Sequence, residues 1–154
     1  MNRIGLDQEK AGVLVENLNE LLANYQVFYM NVRGFHWNIK GEKFFELHAK
    51  FEELYNDLLI KVDEIAERVL TLGGTPMHAY TSYITASEIH EVTNATGAKE
   101  TVEHLIDSFE TLLRKQRSLM ELSGEADDEG TNSLISDYIS EQEKLIWMYS
   151  AFLG

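Results

Sequence analysis

Apolar side chains recur at steps of three and four residues along most of this chain, and that period is the strongest constraint on its fold. An α-helix places such residues on one face, whereas a strand requires alternation at every second residue. The pattern therefore predicts an all-α protein whose amphipathic helices bury their apolar faces in one core. The four apolar runs span residues 14–35, 44–72, 102–120 and 135–152.

Glycine and proline mark the expected ends of these helices. Gly73, Gly74 and the only proline, Pro76, end the second run, because glycine accepts the left-handed turn beyond a helix and proline cannot continue it. Gly124 is expected to end the third helix, and Phe152 in the fourth is expected to face the core. The predicted helices are residues 7–32, 44–72, 98–122 and 128–152.

The lengths of the connections predict how the helices are arranged. The first and last connections are short, whereas residues 75–97 form a long one with room for a short helix near 79–84. Two hairpins joined by a long crossover define a ferritin-like four-helix bundle. A plain four-helix bundle with a wandering middle loop is the alternative that the pattern leaves open.

The composition predicts a single acidic domain whose expected partners are cations. The chain has 154 residues and a formal net charge of −13, which repels nucleic acid and acidic membrane surfaces. Since cysteine is absent, any metal must be held by nitrogen and oxygen ligands, and the composition suits a reducing cytoplasm. The first residues lack the apolar core of a secretory signal, and no later stretch is apolar enough to span a bilayer. A soluble, cytoplasmic protein is expected.

A stripe of histidine and carboxylate side chains is the main indication of function. On an ideal helical wheel with His48 at zero, Glu52, Asp63 and Glu67 lie near ~40°, ~60° and ~100°. The apolar residues of the same helix lie at roughly −40° to −100°, so the stripe points away from the bundle core. His36 comes just before this helix, and imidazole with carboxylate is the ligand chemistry of a redox-active iron site.

Axial distance separates the two ends of this stripe. His48 and Asp63 are fifteen residues apart, which is ~22 Å of helix, so one chain cannot bring them to one ion. If two copies of this helix pack antiparallel about a two-fold axis, the histidine end of one chain meets the carboxylate end of the other. Two equivalent sites between subunits would then form.

The polar stripe has a simpler reading, which the spacing does not exclude. Histidines and acids on one helix face can be a solvated or interface surface without a metal. One rival kind of metal site is nevertheless disfavoured, because no Glu is followed three residues later by His. That Glu-x-x-His pair builds the di-iron sites found inside other four-helix bundles.

Several segments together resemble the Dps family, the mini-ferritins that protect DNA during starvation. They are NVRGFHWN at 31–38, FFELH at 44–48, DEIAER at 63–68, GGTP at 73–76 and the pair Trp147-Met148. The likeness covers nearly the whole chain. Because these motifs occur together at the family's separations, the resemblance favours the metal site over a merely polar face.

The resemblance implies a dodecameric hollow shell built from two-fold dimers. Such a shell oxidises Fe(II), preferentially with hydrogen peroxide, and stores the ferric product as a mineral. His36 and His48 match ligands from one subunit, and Asp63 and Glu67 match ligands from its two-fold mate. Glu52 matches an additional carboxylate that would be a weaker ligand or would shuttle iron. Zn(II) accepts the same ligand set and is a substitute for iron.

The resemblance also suggests roles for residues beyond the ligand set. Trp37 matches a tryptophan thought to donate electrons or trap radicals beside the iron, and packing at a dimer contact is an equally good and compatible reading. Asp127, Asp128 and Asp137 match a region that lines acidic pores through which iron enters. Helix capping at the start of the fourth helix explains its acidic residues equally well.

DNA binding is expected to be weak or absent. Arg3 and Lys10 are the only basic residues before or at the start of the first helix, whereas DNA-binding members of the family usually carry a mobile lysine-rich tail. Affinity for DNA rests chiefly on phosphate neutralisation, so an acidic shell without such a tail should bind poorly. A nucleoid-binding assembly that acts mainly by coating DNA is the alternative function.

Overall fold

The computed structural model describes residues 1–154 and is all-α, as the apolar period predicts. Four long helices and one short helix account for nearly all the regular structure, and there are no strands. None of these helices is long and apolar enough to cross a membrane. The helices are α1 Gln8–Asn38, α2 Phe44–Thr71, α3 Tyr80–Ala86, α4 Ala98–Glu125 and α5 Glu129–Leu153.

The helices pack as two hairpins joined by a crossover, which confirms the predicted ferritin-like bundle. α1 packs along α2 and α4 along α5, and short turns connect the members of each pair. Residues 72–97 carry the chain from the end of α2 to the start of α4, and α3 within this segment lies against α1. The crossover therefore covers the outer side of α1 and leaves one long face of α2 without a neighbour.

Two helix ends differ from the prediction, and in both cases glycine does not stop the helix. α1 continues beyond Val32 to Asn38, whose side chain donates to the carbonyl of Gly34. α4 passes through Gly124 to Glu125, so the prediction that Gly124 ends it is wrong. Glycine within a helix costs only about 1 kcal/mol, which packing of the surrounding turns offsets. The extra turns of α1 bring its C-terminal end beside the start of α2.

All four long helices contribute to the core, and α1 contributes the largest share. Leu14, Leu18 and Phe28 are fully buried, and the Phe28 ring meets Phe109 of α4 edge to face at 5.1 Å between centroids. Each buried residue of this size contributes about 1.5–3 kcal/mol by leaving water. At the far end of α5, Phe152 is exposed, so the prediction that it faces the core is wrong.

The centre of the bundle is polar but fully satisfied. Tyr25 donates to Gln116, Gln116 donates to Gln142, and Gln142 donates back to Tyr25, which closes a ring of hydrogen bonds. Burial raises the pKa of Tyr25 despite the hydrogen bond from Gln142, so the phenol stays neutral. Nearby, the buried Lys61 ammonium lies 2.7 Å from carboxylate oxygens of both Asp57 and Glu141. The donors and acceptors of the bundle interior are therefore engaged with one another.

Three asparagines of α1 hold the crossover segment. The Asn24 carboxamide oxygen accepts the backbone N–H groups of Glu88 and Ile89. Asn31 and Asn19 each accept one backbone N–H and donate to one backbone carbonyl, in residues 90–92 and 75–77 respectively. Because irregular backbone must satisfy its polar groups somewhere, these side chains replace the hydrogen bonds that a regular helix would supply.

Candidate metal centre

Two histidines face each other where α1 ends and α2 begins. His36 lies on the last turn of α1 and His48 on the second turn of α2. Their rings stack with centroids 3.8 Å apart and planes 14° from parallel. Phe44 stacks on the other face of His48, at 4.9 Å between centroids. The turn of residues 39–43 is short enough to hold this pair together.

Reciprocal hydrogen bonds fix the orientation of both rings. Nδ1 of His36 lies 2.6 Å from the backbone oxygen of His48, and Nδ1 of His48 lies 2.7 Å from the backbone oxygen of His36. A carbonyl oxygen can only accept, so each Nδ1 carries the proton. The Nε2 atom of each neutral imidazole then has a free lone pair, which is the arrangement that metal-binding histidines use.

Glu52 is the carboxylate nearest to this pair within one chain. One of its oxygens lies 3.9 Å from Nε2 of His36, which is too far for a hydrogen bond. The Glu52 side chain is exposed, one helical turn beyond His48 on the same face of α2. The nitrogen and the oxygen are therefore both available to a cation placed between them.

Asp63 and Glu67 lie one turn apart near the other end of α2. Both side chains are exposed and neither has a hydrogen bond or an ion pair. The nearby cations on α2 are engaged elsewhere, because Lys61 contacts Asp57 and Glu141 and Arg68 contacts Asp128. The two carboxylates thus present uncompensated negative charge at the surface. Within one chain, no three His, Asp or Glu side chains converge on one point.

Exposed apolar side chains share the stripe that carries these ligand candidates. Leu59 is 49% exposed, Leu70 58% and Phe45 81%, and all three fall within the same angular sector of α2 as His48 and Asp63. A helix face that combines large exposed apolar groups with unpaired carboxylates is unusual for a surface that stays exposed to solvent. It is the kind of face that a protein partner covers.

The acidic residues expected in a pore have different environments. The Asp128 carboxylate is 2% exposed and accepts hydrogen bonds from Arg68 and from the backbone N–H of Thr131. It caps the N-terminus of α5 and does not line an open surface, because its oxygens are already occupied. Asp127 and Asp137 are exposed, and their pore role remains a prediction about contacts between subunits.

The structure adds residues that the spacing argument did not select. Tyr55, one turn beyond Glu52, meets the His36 ring edge to face at 5.3 Å between centroids. Arg33, one turn before His36, places its guanidinium carbon 4.5 Å from the centroid of the Tyr55 ring. Arg33 and His36 are three residues apart and so share a face of α1, which is the signal that could have pointed to Arg33.

The remaining histidines lie apart from the pair. His78 and His90 are exposed in the crossover, and His104 of α4 stacks against Phe35 at 6.0 Å between centroids. Trp37 is 58% exposed beside Arg33, whose guanidinium carbon lies 5.0 Å from its ring. His36, His48 and Glu52 are the predicted site residues that one chain brings together, while Asp63 and Glu67 stand apart from them.

Comparison with known proteins agrees with this architecture. The ferritin-like domain family matches residues 15–154. A DNA protection during starvation protein of Porphyromonas gingivalis is 43% identical over 148 residues, covering 96% of this chain and 93% of that protein. A second such protein, from Bacillus anthracis, is 39% identical over 141 residues and covers 92% of this chain and 97% of its own length.

Solved structures show the same fold at high similarity. The crystal structure of a DPS protein from Vibrio cholerae O1 matches with a TM-score of 0.98 and 55% identity, covering 100% of this chain and 97% of that one. That protein is described as a member of a broad superfamily of ferritin-like diiron-carboxylate proteins. A Dps protein from Bacillus brevis matches with a TM-score of 0.92 and 35% identity, covering 95% and 98% of the two chains.

Proposed function

This chain belongs to the Dps family of ferritin-like proteins, and from that membership we propose that it oxidises Fe(II) and stores the ferric product inside a hollow shell. Hydrogen peroxide is the proposed preferred oxidant, and protection of the cell from oxidative damage is the proposed consequence. The observation that carries the proposal is the reciprocally bonded pair of His36 and His48, because its geometry leaves two imidazole Nε2 atoms free beside a carboxylate.

The proposed site lies between two subunits. His36 and His48 come from one chain, with Glu52 as an auxiliary ligand, and Asp63 and Glu67 come from the two-fold mate. An antiparallel axis that brings these groups together passes near Asn56, which lies about midway between His48 and the carboxylate pair, and the exposed Leu59 is one turn further along the helix. The uncompensated charge of the two carboxylates supports the same arrangement, because a cation bound at the interface would neutralise it.

The ligand set suits a change of iron oxidation state. Imidazole nitrogen binds Fe(II) well, carboxylate oxygen favours the harder Fe(III), and four or five protein ligands leave positions open for an oxidant. Reduction of one peroxide consumes two electrons and two protons and yields two waters, so two Fe(II) ions are oxidised for each peroxide. The proposed activity therefore removes both reagents of radical-forming Fenton chemistry. Zn(II) would compete for the same ligands.

A dodecameric assembly built from two-fold dimers is part of the proposal. The net charge of −13 on each subunit would give the shell a strongly negative field that attracts Fe(II) and favours its retention. Acidic pores that include Asp127 and Asp137 would focus this field where iron enters. No membrane is involved in this function.

Mixed shells provide the sharpest test of the intersubunit site. One chain carries His36→Ala/His48→Ala and the other Asp63→Asn/Glu67→Gln, and the two are co-expressed with different affinity tags and purified through both. Neither variant alone can form an intact site. In random mixtures about one quarter of the sites combine intact histidines with intact carboxylates, and Fe(II) oxidation should recover to that fraction of wild type. Stopped-flow absorbance of Fe(III) after addition of peroxide measures it.

A second mixture tests whether variant chains are incorporated into mixed shells at random. Wild-type chains mixed equally with His36→Ala/His48→Ala chains should retain about half of the intact sites, because only the histidine donor is affected. A control mixture at that level together with no recovery in the double-variant mixture would show that the ligands act within one chain. That result would contradict the intersubunit site.

We propose that protection is chemical and does not depend on coating DNA. A shell of chains with a net charge of −13 offers few groups that neutralise phosphate. Purified shells should therefore leave the mobility of duplex DNA unchanged in gel electrophoresis at moderate salt without added divalent cations. Retardation of the DNA under these conditions would favour the nucleoid-binding alternative.

A further inference from the structure

Three aromatic rings surround one guanidinium beside the histidine pair. The guanidinium carbon of Arg33 lies 4.5 Å from the ring centroid of Tyr55, 5.0 Å from that of Trp37 and 5.8 Å from that of Tyr29. Arg33 also donates a hydrogen bond of 2.9 Å to the Tyr29 hydroxyl. No carboxylate pairs with this guanidinium in the chain, so the aromatic rings are its main neighbours.

One of these rings touches the candidate ligand directly. Tyr55 meets the His36 ring edge to face at 5.3 Å and the Tyr29 ring edge to face at 6.2 Å between centroids. Trp37 follows His36 in sequence, yet successive helical residues point about 100° apart, and Trp37 makes no ring contact with His36. The continuous ring path from the metal centre therefore runs from His36 through Tyr55 to Tyr29.

We infer that Tyr55 donates an electron to the proposed iron site when only one Fe(II) is bound there, and that Tyr29 relays the oxidation further away. This inference rests on the proposed ferroxidase function. A single Fe(II) can supply only one of the two electrons that peroxide requires, and the missing electron would otherwise leave a hydroxyl radical. Tyr55 is the redox-active side chain in ring contact with a ligand.

The step balances with peroxide as the oxidant. The O–O bond breaks as peroxide takes one electron from Fe(II) and one from the Tyr55 phenol. The phenol proton and one proton from solvent are added to the oxygens, so the products are Fe(III), a neutral Tyr55 phenoxyl radical and two waters. Transfer of one electron and one proton from Tyr29 to this radical restores Tyr55. A later Fe(II) can reduce the Tyr29 radical, with uptake of one proton.

The position of Arg33 favours tyrosine over tryptophan as the donor. A fixed positive charge close to a ring opposes formation of a radical cation on that ring. Tyrosine avoids this cost because the oxidised phenol loses its proton readily and becomes neutral, whereas an oxidised indole holds its proton more strongly. Arg33 thus acts as a positioning residue that holds the rings together and disfavours oxidation of Trp37.

Phenylalanine variants test the inference because they keep the rings and remove the phenol oxygen. Assembled wild type, Tyr55→Phe and Tyr29→Phe receive one Fe(II) per site and then peroxide. Freeze-quench electron paramagnetic resonance measures tyrosyl radical, a spin trap measures hydroxyl radical, and mass spectrometry locates oxidation products at residues 29, 37 and 55. Tyr149→Phe is the matched control, since its buried ring stacks on Phe109 and touches neither His36 nor Arg33.

We expect Tyr55→Phe to lower the tyrosyl signal to background and to raise the trapped hydroxyl radical severalfold, with Tyr149→Phe unchanged. Tyr29→Phe should keep a radical confined to Tyr55. Fe(II) oxidation with two Fe(II) per site should be the same in wild type and Tyr149→Phe, so that any change in radical yield is not due to loss of the proposed site. An unaltered radical yield in Tyr55→Phe, or oxidation products confined to Trp37, overturns the relay. Failure of wild type to oxidise Fe(II) at all would instead contradict the proposed function.

Discussion

The variant His36→Ala/His48→Ala should lose peroxide-dependent oxidation of Fe(II) almost completely. Both Nε2 lone pairs disappear, and with them the nitrogen half of the proposed ligand set. Loss of partners that merely orient metal ligands already costs about 10–100-fold in affinity or activity, so loss of two ligands should cost at least that much. Stopped-flow absorbance of Fe(III) gives the rate, and calorimetric titration with Zn(II) gives the affinity independently of redox chemistry.

The control for this prediction is His90→Ala, which removes an exposed histidine whose ring has no hydrogen bond in the structure. It should leave both the rate and the Zn(II) affinity unchanged. Thermal unfolding should accompany the assay, because the alanines also free two backbone carbonyls that the imidazoles now engage. Equal oxidation rates in the double variant and wild type would eliminate the proposed site.

The variant Arg68→Ala should be the most destabilising single change at the surface of this fold. Its guanidinium donates to the Asp128 carboxylate at 2.7 Å and to the Thr131 hydroxyl at 2.8 Å. Asp128 is 2% exposed, so removing Arg68 leaves a buried charge without its counter-ion. Breaking such a pair costs about 3–5 kcal/mol, and the remaining hydrogen bonds from the Thr131 backbone N–H and the Thr131 hydroxyl place the expected loss near the lower end.

Urea denaturation at a fixed protein concentration measures this loss, since assembly would otherwise shift the midpoint. Arg117→Ala is the matched control, because Arg117 pairs with Glu143 where both side chains are more than half exposed. An exposed pair of this kind contributes about 0–1 kcal/mol. Equal urea midpoints for Arg68→Ala and Arg117→Ala would show that the Asp128 carboxylate does not depend on Arg68.

The helices were the most predictable part of the structure, although two of their ends were not. The apolar period and Pro76 place α2 correctly to within about a residue, because both act locally along the helix. Gly34 and Gly124 lie inside helices that continue through them. A glycine is only a weak local penalty, and packing of α1 against α2 allows another turn after Gly34, whereas α4 ends one residue after Gly124.

The sequence predicted the residue types of the candidate site and the distance between its histidine and carboxylate ends. It did not predict the environments of Asp128 and Tyr55. The wheel angle and the helical rise assign His48 and Asp63 to one outward stripe and keep them too far apart for one ion. The sequence does not show that Asp128 is buried, because its counter-ion is Arg68, sixty residues earlier. Tyr55 is likewise inconspicuous among the apolar residues of α2 until the structure places its ring against His36.

The amino-acid sequence by itself determined the helical fold, the outward direction of the stripe of candidate ligands and the distance that keeps the two ends of this stripe from binding one ion within a single chain. These follow from a repeat of fixed period and rise, which any helix of this sequence must obey. Only the tertiary structure decided that the Nδ1 atom of each of His36 and His48 donates to the backbone carbonyl of the other, which leaves both Nε2 atoms free. That arrangement requires a particular distance and crossing angle between α1 and α2. Both are set by the packing of side chains that are distant in sequence.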